Sequence, residues 1–399
     1  MRPIYTRRLP PLLLAVGVML SLLAGSASVP THSFAATGPI GGYVEEVGEV
    51  ALAVDPGGRI HALWTGRLNP HFGLFAFYAS SPDGLSWTPY TVLNYYDAYN
   101  PQIVVDAASG RVHLVYRSNS DGIIHHTVEQ GVVSAPHVID KGGVVNPQLA
   151  VDSASGQAQL IWQQGALVKT SADTFAYLLS VKYATWDGTR WTPQRQPINS
   201  RDTWQPSIAV APGGRTLLVW FQEWASSLGG AIDPGRPIVV RSAAGAQAGV
   251  FSVRQAVSPS YSLPEKDNSI LLSYSGGDGK FYLVCDHLMW PGHSQVYRYV
   301  WDGAWSAPLD VAGNTTGWGL PRYIGAATSS PLVVYIYVAN ETLWARTESG
   351  GVLGVPENLD QLLANRGYAN ALSFFVDGSG GLHMVAQRPG VAGVYYLRK

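Results

Sequence analysis

Cysteine and charged residues are both scarce in this sequence. Cys285 is the only cysteine among 399 residues, so no internal disulfide can form and the fold must be stabilised by its buried core. Charged residues make up 13% of the chain, and the formal net charge is −1. This balance gives no electrostatic footprint for nucleic acid or for a surface of anionic lipid. We therefore expect no nucleic-acid partner.

Long apolar runs are also absent, except near the amino terminus. Residues 12–25 (LLLAVGVMLSLLAG) follow three arginines and precede several small residues, which is the pattern of an export signal. The alternative is an uncleaved membrane anchor, although the run is short for a membrane span. We predict a signal peptide over residues 1–36 and a single domain over residues 37–399. The protein is then secreted or held at the cell surface, with no membrane insertion after cleavage.

The abundant residues are those of tight turns and twisted sheets. The chain contains 44 glycines and 26 prolines, which suit a fold with many turns. It also contains 13 tryptophans and 21 tyrosines, a composition that twisted sheets share with sugar-binding faces. The composition favours an all-β protein.

One sequence frame recurs along the chain. Residues 100–118 (NPQIVVDAASGRVHLVYRS) and residues 146–164 (NPQLAVDSASGQAQLIWQQ) share Asn-Pro-Gln, an apolar run, an Asp, a Ser-Gly turn and a second apolar run. The second apolar run ends at seven positions: Trp64, Tyr116, Trp162, Trp220, Cys285, Tyr335 and Ala386. A period of roughly 50 residues is typical of propellers and solenoids.

Each repeat predicts a small antiparallel sheet. In the second repeat we predict strands at residues 102–106, 112–117, 123–129 and 136–140, because short apolar runs there are bounded by turn residues. Four short strands in about 50 residues are typical of a propeller blade. We predict a seven-bladed β-propeller of four-stranded antiparallel blades, with six or eight blades as alternatives. Its ring would be closed by N- and C-terminal strands, with residues 38–44 supplying the strand that the last repeat lacks.

Several residues that look like metal ligands or catalytic groups fall on repeat positions. His61, His113 and His383 share one position, which holds Gln159 and Leu217 in other repeats, so we assign these histidines a structural role. Four aspartates precede Gly-containing turns and are assigned to turn formation: Asp55, Asp106, Asp152 and Asp377. Cys285 occupies an aromatic slot, which favours buried packing over a nucleophile. The sequence predicts neither a metal site nor a cofactor.

Asp-Gly turns followed closely by a tryptophan recur at residues 80–87 (SSPDGLSW), 185–191 (TWDGTRW) and 300–306 (VWDGAWS). These segments resemble the aspartate-box (BNR) repeat of the sialidase-like β-propellers, Ser-any-Asp-any-Gly-any-any-Trp, although every copy lacks one residue or the Ser. The resemblance implies a propeller whose boxes are structural and lie away from the active face. It does not carry over an activity. The Arg-Ile-Pro or Arg-Leu-Pro motif of sialidases is absent, and no motif transfers their Tyr, Glu and Asp roles.

The candidate site lies where propeller loops surround the central channel. Loops between blades share a face with the loops that join second and third strands, and loops on a rigid scaffold commonly carry function. Asp, Glu, Arg, Trp and Tyr concentrate in these loops, which suits a sugar ligand. The candidate catalytic carboxylates are Asp97, Asp202, Glu223, Asp267 and Asp286. The candidate ligand-binding residues are Arg117, Trp204, Trp224, His287, Arg322, Tyr323, Arg366 and Asn370.

Three further segments are expected at the same face. Residues 163–179 and 222–237 are longer than ordinary connections and are predicted as loops that lean toward it. Residues 357–367 (ENLDQLLANRG) predict a short helix that begins at an Asn358 cap and stops at Gly367.

Three functions remain open from the sequence. The chain could bind a glycan or another extracellular partner, cleave one as a hydrolase or lyase of the sialidase-like clan, or act as a non-catalytic scaffold for protein interactions. A retaining hydrolase needs two catalytic groups about 5 Å apart, and sequence spacing does not show which carboxylates converge. Two carboxylates beside Arg117 or Arg322 would favour an enzyme. A monomer is expected.

Overall fold

The computed structural model describes residues 40, 46–69, 71, 73–94, 97–169, 175–192, 203–223, 237–246, 250–251, 255–256, 261–262, 270–289, 293–313, 319–365, 370–387 and 394–399. These ranges contain thirty strands in seven antiparallel sheets and one short helix. No helix in the described ranges has the length and apolarity that a membrane crossing requires.

Each sheet corresponds to one repeat and is called a blade. Blade 1 contains β1 (Glu46–Val54), β2 (Ile60–Arg67), β3 (Phe75–Ser81) and β4 (Thr91–Asn94). Blade 2 contains β5 (Ala98–Val105), β6 (Val112–Ser118), β7 (Gly122–Glu129), β8 (Val132–Val133) and β9 (His137–Asp140). Blade 3 contains β10 (Val144–Val151), β11 (Ala158–Lys169) and β12 (Phe175–Thr185). Blade 4 contains β13 (Thr203–Ala211), β14 (Arg215–Glu223), β15 (Pro237–Ala246), β16 (Val250–Phe251), β17 (Gln255–Ala256) and β18 (Tyr261–Ser262).

The remaining three blades follow the same plan. Blade 5 contains β19 (Ile270–Ser275), β20 (Lys280–Met289), β21 (His293–Trp301) and β22 (Leu309–Asp310). Blade 6 contains β23 (Gly319–Ala326), β24 (Leu332–Ala339), β25 (Thr342–Ser349), β26 (Val352–Leu353) and β27 (Glu357–Asn358), followed by α1 (Leu359–Ala364). Blade 7 contains β28 (Asn370–Val376), β29 (Leu382–Gln387) and β30 (Val394–Arg398).

The first strands of the seven blades form a closed ring around a central channel. Each first strand packs beside the first strand of the next blade, and β28 of blade 7 packs beside β1 of blade 1. The predicted seven-bladed propeller is therefore confirmed. In blades 2 and 6 the outer strand is broken into two short pieces that both pair with the third strand, which gives five strands instead of four.

The predicted closing strand at residues 38–44 lies outside the described residues, apart from Ile40. Ile40 is buried among Leu52 and Trp64 of blade 1 and Val385 and Tyr396 of blade 7. Ile40 therefore contributes to the seam between the first and last blades.

The Asn-Pro pair of the repeated frame is a β-bulge in the innermost strand. Asn100 has a φ of +49°, and the register between β5 and β6 skips Asn100 and Pro101, which together face Tyr116. Asn146 repeats the arrangement with a φ of +51°, opposite the buried Trp162. The third copy, in blade 4, consists of Gln205, Pro206 and Trp220. Proline suits a bulge because it has no N–H to donate to the ladder. The frame thus encodes one unit, a bulge faced by a buried aromatic ring.

Two predicted boundaries need correction. The first strand of blade 2 begins at Ala98 instead of residue 102, because the Asn-Pro bulge lies inside the strand and does not precede it. Residues 163–169 and 175–179 are strands instead of a loop, because β11 and β12 continue as a paired hairpin as far as Lys169 and Phe175. Residues 170–174 lie outside the described residues. Of the second predicted loop, residues 224–236 lie outside the described residues.

Apolar layers between neighbouring blades form the core. Trp64, Trp162 and Trp220 are almost completely buried and anchor three of these layers. Cys285 is fully buried in the layer between blades 4 and 5, where it packs near Tyr299, so the predicted packing role is confirmed. Burial of such side chains stabilises the fold by about 1.5–3 kcal/mol each.

The repeat-position histidines are bound within their own blades. His61 Nδ1 contacts the hydroxyl of Tyr78 at 2.8 Å, and its Nε2 lies 3.5 Å from Asp55. Blade 7 repeats this Asp–His–Tyr unit with Asp377, His383 and Tyr396. For His61 and His383 these contacts agree with the predicted structural role.

The Asp-Gly box of blade 1 is a turn held together by hydrogen bonds within its own residues. The backbone N–H groups of Leu85 and Ser86 both donate to Asp83 Oδ1 at 2.8 Å, and these bonds lower the pKa of Asp83. Trp87 donates from its indole to the Gly84 carbonyl at 3.2 Å. The box joins β3 to β4, at the opposite end of the blade from the loop between β2 and β3.

Helix α1 begins as predicted. The side chain of Asn358 accepts a hydrogen bond from the backbone N–H of Gln361 at 2.8 Å and so caps the helix. The helix ends at Ala364 with Asn365 as its C-cap, and the predicted stop at Gly367 lies outside the described residues.

Candidate upper-mouth site

We call the end of the channel where the innermost strands begin the upper mouth. The channel has a volume of about 1430 Å³. Much of its wall is aliphatic, including Leu52, Val104 and Leu271, since the innermost strands present short apolar side chains there. Polar groups lie at the bulges and turns of the upper mouth, where the backbone departs from regular pairing.

The bulge of blade 2 is tied to blade 1 by a carboxylate. Asn100 donates both its backbone N–H and its side-chain amide to Glu49, and Nδ2 lies 3.3 Å from Oε1. Glu49 is itself exposed and lies at the bulge of β1, between Val47 and Val50. The hydrogen bonds from Asn100 therefore orient the Glu49 carboxylate at the upper mouth.

An amide performs the equivalent task between blades 3 and 4. Gln163 Oε1 accepts hydrogen bonds from Asn146 Nδ2 at 3.5 Å and from the backbone N–H of Gln205 at 3.3 Å. Bulge residues of blades 2, 3 and 4 are therefore each bound by a side-chain oxygen. The result is a row of carboxylate and amide groups along the upper mouth from blade 1 to blade 4.

Two predicted residues come together above blade 2. The Arg117 guanidinium lies 5.5 Å from the centre of the Tyr99 ring, and its Nη2 donates to Asn119 Oδ1 at 2.6 Å. The backbone N–H of Asn119 donates to the Asp97 carbonyl at 3.2 Å, and Asp97 has a φ of +51°. Arg117 is thus linked through Asn119 to the backbone carbonyl of Asp97, and its guanidinium lies over an aromatic ring.

Blade 6 contributes a second group of charges. Arg322 is the bulged residue of β23, is exposed, and lines the channel with Glu341 and Asp360. Glu341 lies in the turn between β24 and β25 with a φ of +61°. Asp360, in the first turn of α1, accepts a hydrogen bond from the backbone N–H of Leu343 at 2.7 Å, which places α1 beside this turn. The helix therefore lies at the rim, as predicted.

Tyr323 has a structural contact at the same strand. Its hydroxyl accepts a hydrogen bond from the backbone N–H of Val376 at 2.9 Å, and burial raises the pKa of this tyrosine. Tyr323 lines the channel, but its polar atom links blade 6 to blade 7.

The other predicted residues are placed only in part. Five lie on strand ends at the upper side with their backbones alone described: Trp204, Glu223, Asp286, His287 and Asn370. Four lie outside the described residues: Asp202, Trp224, Asp267 and Arg366. Their roles stay predictions.

Several polar residues of the mouth were missed by the sequence argument, namely Glu49, Asn146, Gln163, Gln205, Glu341 and Asp360. The Asn-Pro frame was the available signal, because a bulge leaves backbone groups that need a side-chain partner. The sequence does not show which side chains are these partners, since Glu49 and Gln163 belong to different strands from the bulges they bind. No cluster of three or more metal-ligating side chains occurs among the described residues.

Comparison with known proteins gives the fold. No family model matches the sequence, and no curated protein is similar to it. An ulvan lyase, a polysaccharide lyase solved with -[GlcA(1-4)Rha3S]- bound, is similar with a TM-score of 0.56 and 12% identity over 91% of this chain and 95% of the lyase. The β-propeller domain of the Trilobed protease from Pyrococcus furiosus is similar with a TM-score of 0.52 and 7% identity over 90% and 96% of the two chains. A Hadza microbial sialidase has a TM-score of 0.45 and 10% identity over 89% of this chain and 66% of the sialidase. The similarity to a β-propeller domain agrees with the β-propeller fold that the sequence predicted, and identities this low show the fold alone.

Proposed function

We propose that this chain is a secreted β-propeller that binds a carbohydrate at its upper mouth without cleaving it. The observation that carries the proposal is the row of bulge-bound polar groups along blades 1 to 4. The row lies next to Val50, Pro101 and Gln148, which line a channel of about 1430 Å³. That volume exceeds a typical small-molecule pocket of about 300–1,000 Å³ and so favours an oligosaccharide over a single sugar.

The chemistry of the row suits sugar hydroxyls. Carboxylate and amide oxygens accept hydrogen bonds from hydroxyl groups, and amide N–H groups donate to them. The ring of Tyr99 adds a flat surface against which a sugar face can stack. The similarity of the fold to a lyase solved with a saccharide bound supports the same ligand class.

A second candidate is cleavage of a polysaccharide by hydrolysis or elimination. Arg322, Glu341 and Asp360 line one channel. Two acidic residues beside Arg322 are the combination that the sequence analysis expects of an enzyme. A hydrolase would use one carboxyl group as acid and the other as base or nucleophile. A non-catalytic scaffold for protein partners would need neither group.

The test is a glycan array run beside a panel of exo-glycosidase and lyase substrates. We expect glycan binding with no product. Glu49→Gln removes a charged acceptor and should weaken binding about tenfold, since a hydrogen bond to a charged group contributes about 1.5–3 kcal/mol. Glu129→Gln is the control, because Glu129 pairs with Arg111 away from the mouth.

Two outcomes would overturn the binding proposal. The absence of any glycan signal would favour the scaffold. Product formation that is abolished by Glu341→Gln, Asp202→Asn or Glu223→Gln would replace binding with catalysis. Sedimentation of the protein would test whether it is the expected monomer.

A further inference from the structure

Blade 2 departs from its neighbours at one repeated position. Blades 1 and 7 carry an Asp–His–Tyr unit, whereas blade 2 has His125 at the place of the tyrosine. His113 Nδ1 and His125 Nε2 lie 3.0 Å apart, and the two rings stack with their centres 5.2 Å apart. Both side chains are fully buried. A tyrosine hydroxyl has therefore been exchanged for a second titratable ring.

The turn aspartate of blade 2 does not bind this pair. Asp106 accepts from the backbone N–H of Ala108 at 2.9 Å and from the Ser109 hydroxyl, and its carboxylate lies against Gly156 of blade 3. In blades 1 and 7 the corresponding aspartate lies 3.5 Å and 3.0 Å from the histidine Nε2. Among the described residues, His113 Nε2 and His125 Nδ1 have no hydrogen-bond partner.

The pair forms part of the contact between blades 2 and 3. The centre of the His125 ring lies 4.8 Å from that of Trp186 and 5.1 Å from that of Trp191. His113 meets Trp186 edge-on at 6.3 Å. Both tryptophans belong to the Asp-Gly turn of blade 3, so the two rings of blade 2 pack against one turn of the next blade.

No charged group around the histidine pair contacts it as a counter-ion in the described residues. The charged groups of blade 2 are Asp106, which binds Ala108 and Ser109, and Arg111, which pairs with Glu129 at 2.6 Å. His126 points to the opposite face and contacts the Ser134 carbonyl, while the exposed His137 lies 6.1 Å from His125 between ring centres. From blade 3, Asp187 and Arg190 bind each other at 3.3 Å in the exposed turn.

We propose that acidification opens the contact between blades 2 and 3 by protonating the His113–His125 pair. One hydrogen already lies between the two rings, so a further proton creates a buried cation, and a second one places two cations about 3 Å apart. In blades 1 and 7 a carboxylate would neutralise the same proton. The response is therefore largest in blade 2, because burial also lowers the pKa of His61 and of His383 but Asp55 and Asp377 oppose that effect. It does not depend on what the upper mouth binds.

The direction of the pH effect follows from the folded-state pKa values. Burial, with a smaller effect of Arg111, lowers the pKa of His113 to about 4 from its usual 6.5. Burial, followed by the neighbouring His113, lowers the pKa of His125 well below its usual value. The open form then binds more protons than the closed form, so the contact is intact above pH 6.5 and weakens as the pH falls toward 4.

The test is hydrogen exchange measured by mass spectrometry at pH 7.5 and pH 5, with exchange times scaled for the intrinsic rate. In peptides that cover residues 122–129 and 181–192 we expect protection to fall about tenfold or more, since each pKa unit corresponds to a factor of ten. Peptides from β24 and β25 of blade 6 should change much less.

Blade 3 shows which two residues can replace the histidine pair. His113→Gln with His125→Tyr copies blade 3, where Tyr183 donates to Gln159 Oε1 at 2.9 Å. This double variant should keep its protection at pH 5. His61→Gln, the control in blade 1, should leave the acid response of blades 2 and 3 unchanged.

Either of two results would overturn the proposal. One is a loss of protection at pH 5 that is equal in all blades of the unmodified protein. The other is a double variant that loses protection in residues 122–129 as the unmodified protein does. If the double variant does not fold, the distribution of exchange along the unmodified chain decides alone.

Discussion

At the scale of single residues, one buried ion pair joins blades 5 and 6. Arg298 donates from Nε to Glu348 Oε2 at 3.0 Å and from Nη2 to Oε1, and Tyr335 donates to the same carboxylate at 2.5 Å. The Glu348 side chain is 1% exposed. Burial opposes the charge of Arg298, but its hydrogen bonds to Glu348 and the negative charge of Glu348 outweigh burial and raise the pKa of the guanidinium. Removal of the carboxylate would leave that cation buried without a partner.

We predict that Glu348→Gln lowers the free energy of unfolding by about 3–5 kcal/mol, the usual cost of breaking a buried pair from one side. Urea denaturation at pH 7 measures it. Glu129→Gln is the matched control, because Glu129 also pairs with an arginine but its side chain is 57% exposed. The control should cost less than about 1 kcal/mol. Equal losses in the two variants would mean that blades 5 and 6 do not depend on this pair.

At the scale of elements, the Asn-Pro bulge is the unit that the repeat encodes. Asn146 has a φ of +51°, a left-handed conformation that asparagine tolerates and β-branched residues avoid. We predict that Asn146→Val is less stable than Asn146→Gly by about 1–2 kcal/mol. Both variants remove the weak side-chain contact to Gln163, so their difference isolates the backbone. Thermal unfolding of the two proteins measures it, and a valine variant as stable as the glycine variant would contradict a left-handed bulge.

The same element shows what the sequence could predict and what it could not. The strand pairs of blade 2 were predictable because their apolar runs are short and bounded by turn residues. The start of β5 was not, since Asn-Pro reads as a turn although pairing continues beyond it to Ala98. Likewise, the turn-forming residues 170–174 (TSADT) suit a long loop as well as a long hairpin.

The candidate site was predictable as a face but not as a set of contacts. The repeat places Asp97 and Arg117 at the same end of one blade, and Asn119 links Arg117 to the Asp97 backbone. Glu49 and Asn100 belong to different blades, so their contact depends on how bulges of neighbouring blades meet. Asp360 reaches the channel only because α1 packs beside the turn between β24 and β25. Which residues of different repeats come into contact depends on tertiary packing, and spacing along the chain does not show it.

At the scale of the whole molecule, stability depends on the seam where blade 7 meets blade 1. A Cβ on Gly84, in the Asp-Gly box of blade 1, would lie 2.3 Å from Cε1 of Tyr396 in blade 7. Gly303, in the corresponding box of blade 5, has nearly the same φ, +80° against +77°, but a Cβ there would meet no heavy atom of the described residues within 4 Å. Both alanine variants therefore suffer the same backbone strain, and only Gly84→Ala also pushes the seam apart.

We predict that Gly84→Ala is less stable than Gly303→Ala by about 1–3 kcal/mol, the usual cost of overpacking, as measured by urea denaturation. Because every blade of a closed ring packs between two others, the loss should appear as an earlier single transition for the whole propeller. A separate early transition of blade 7 alone would show that the ring does not unfold as one unit.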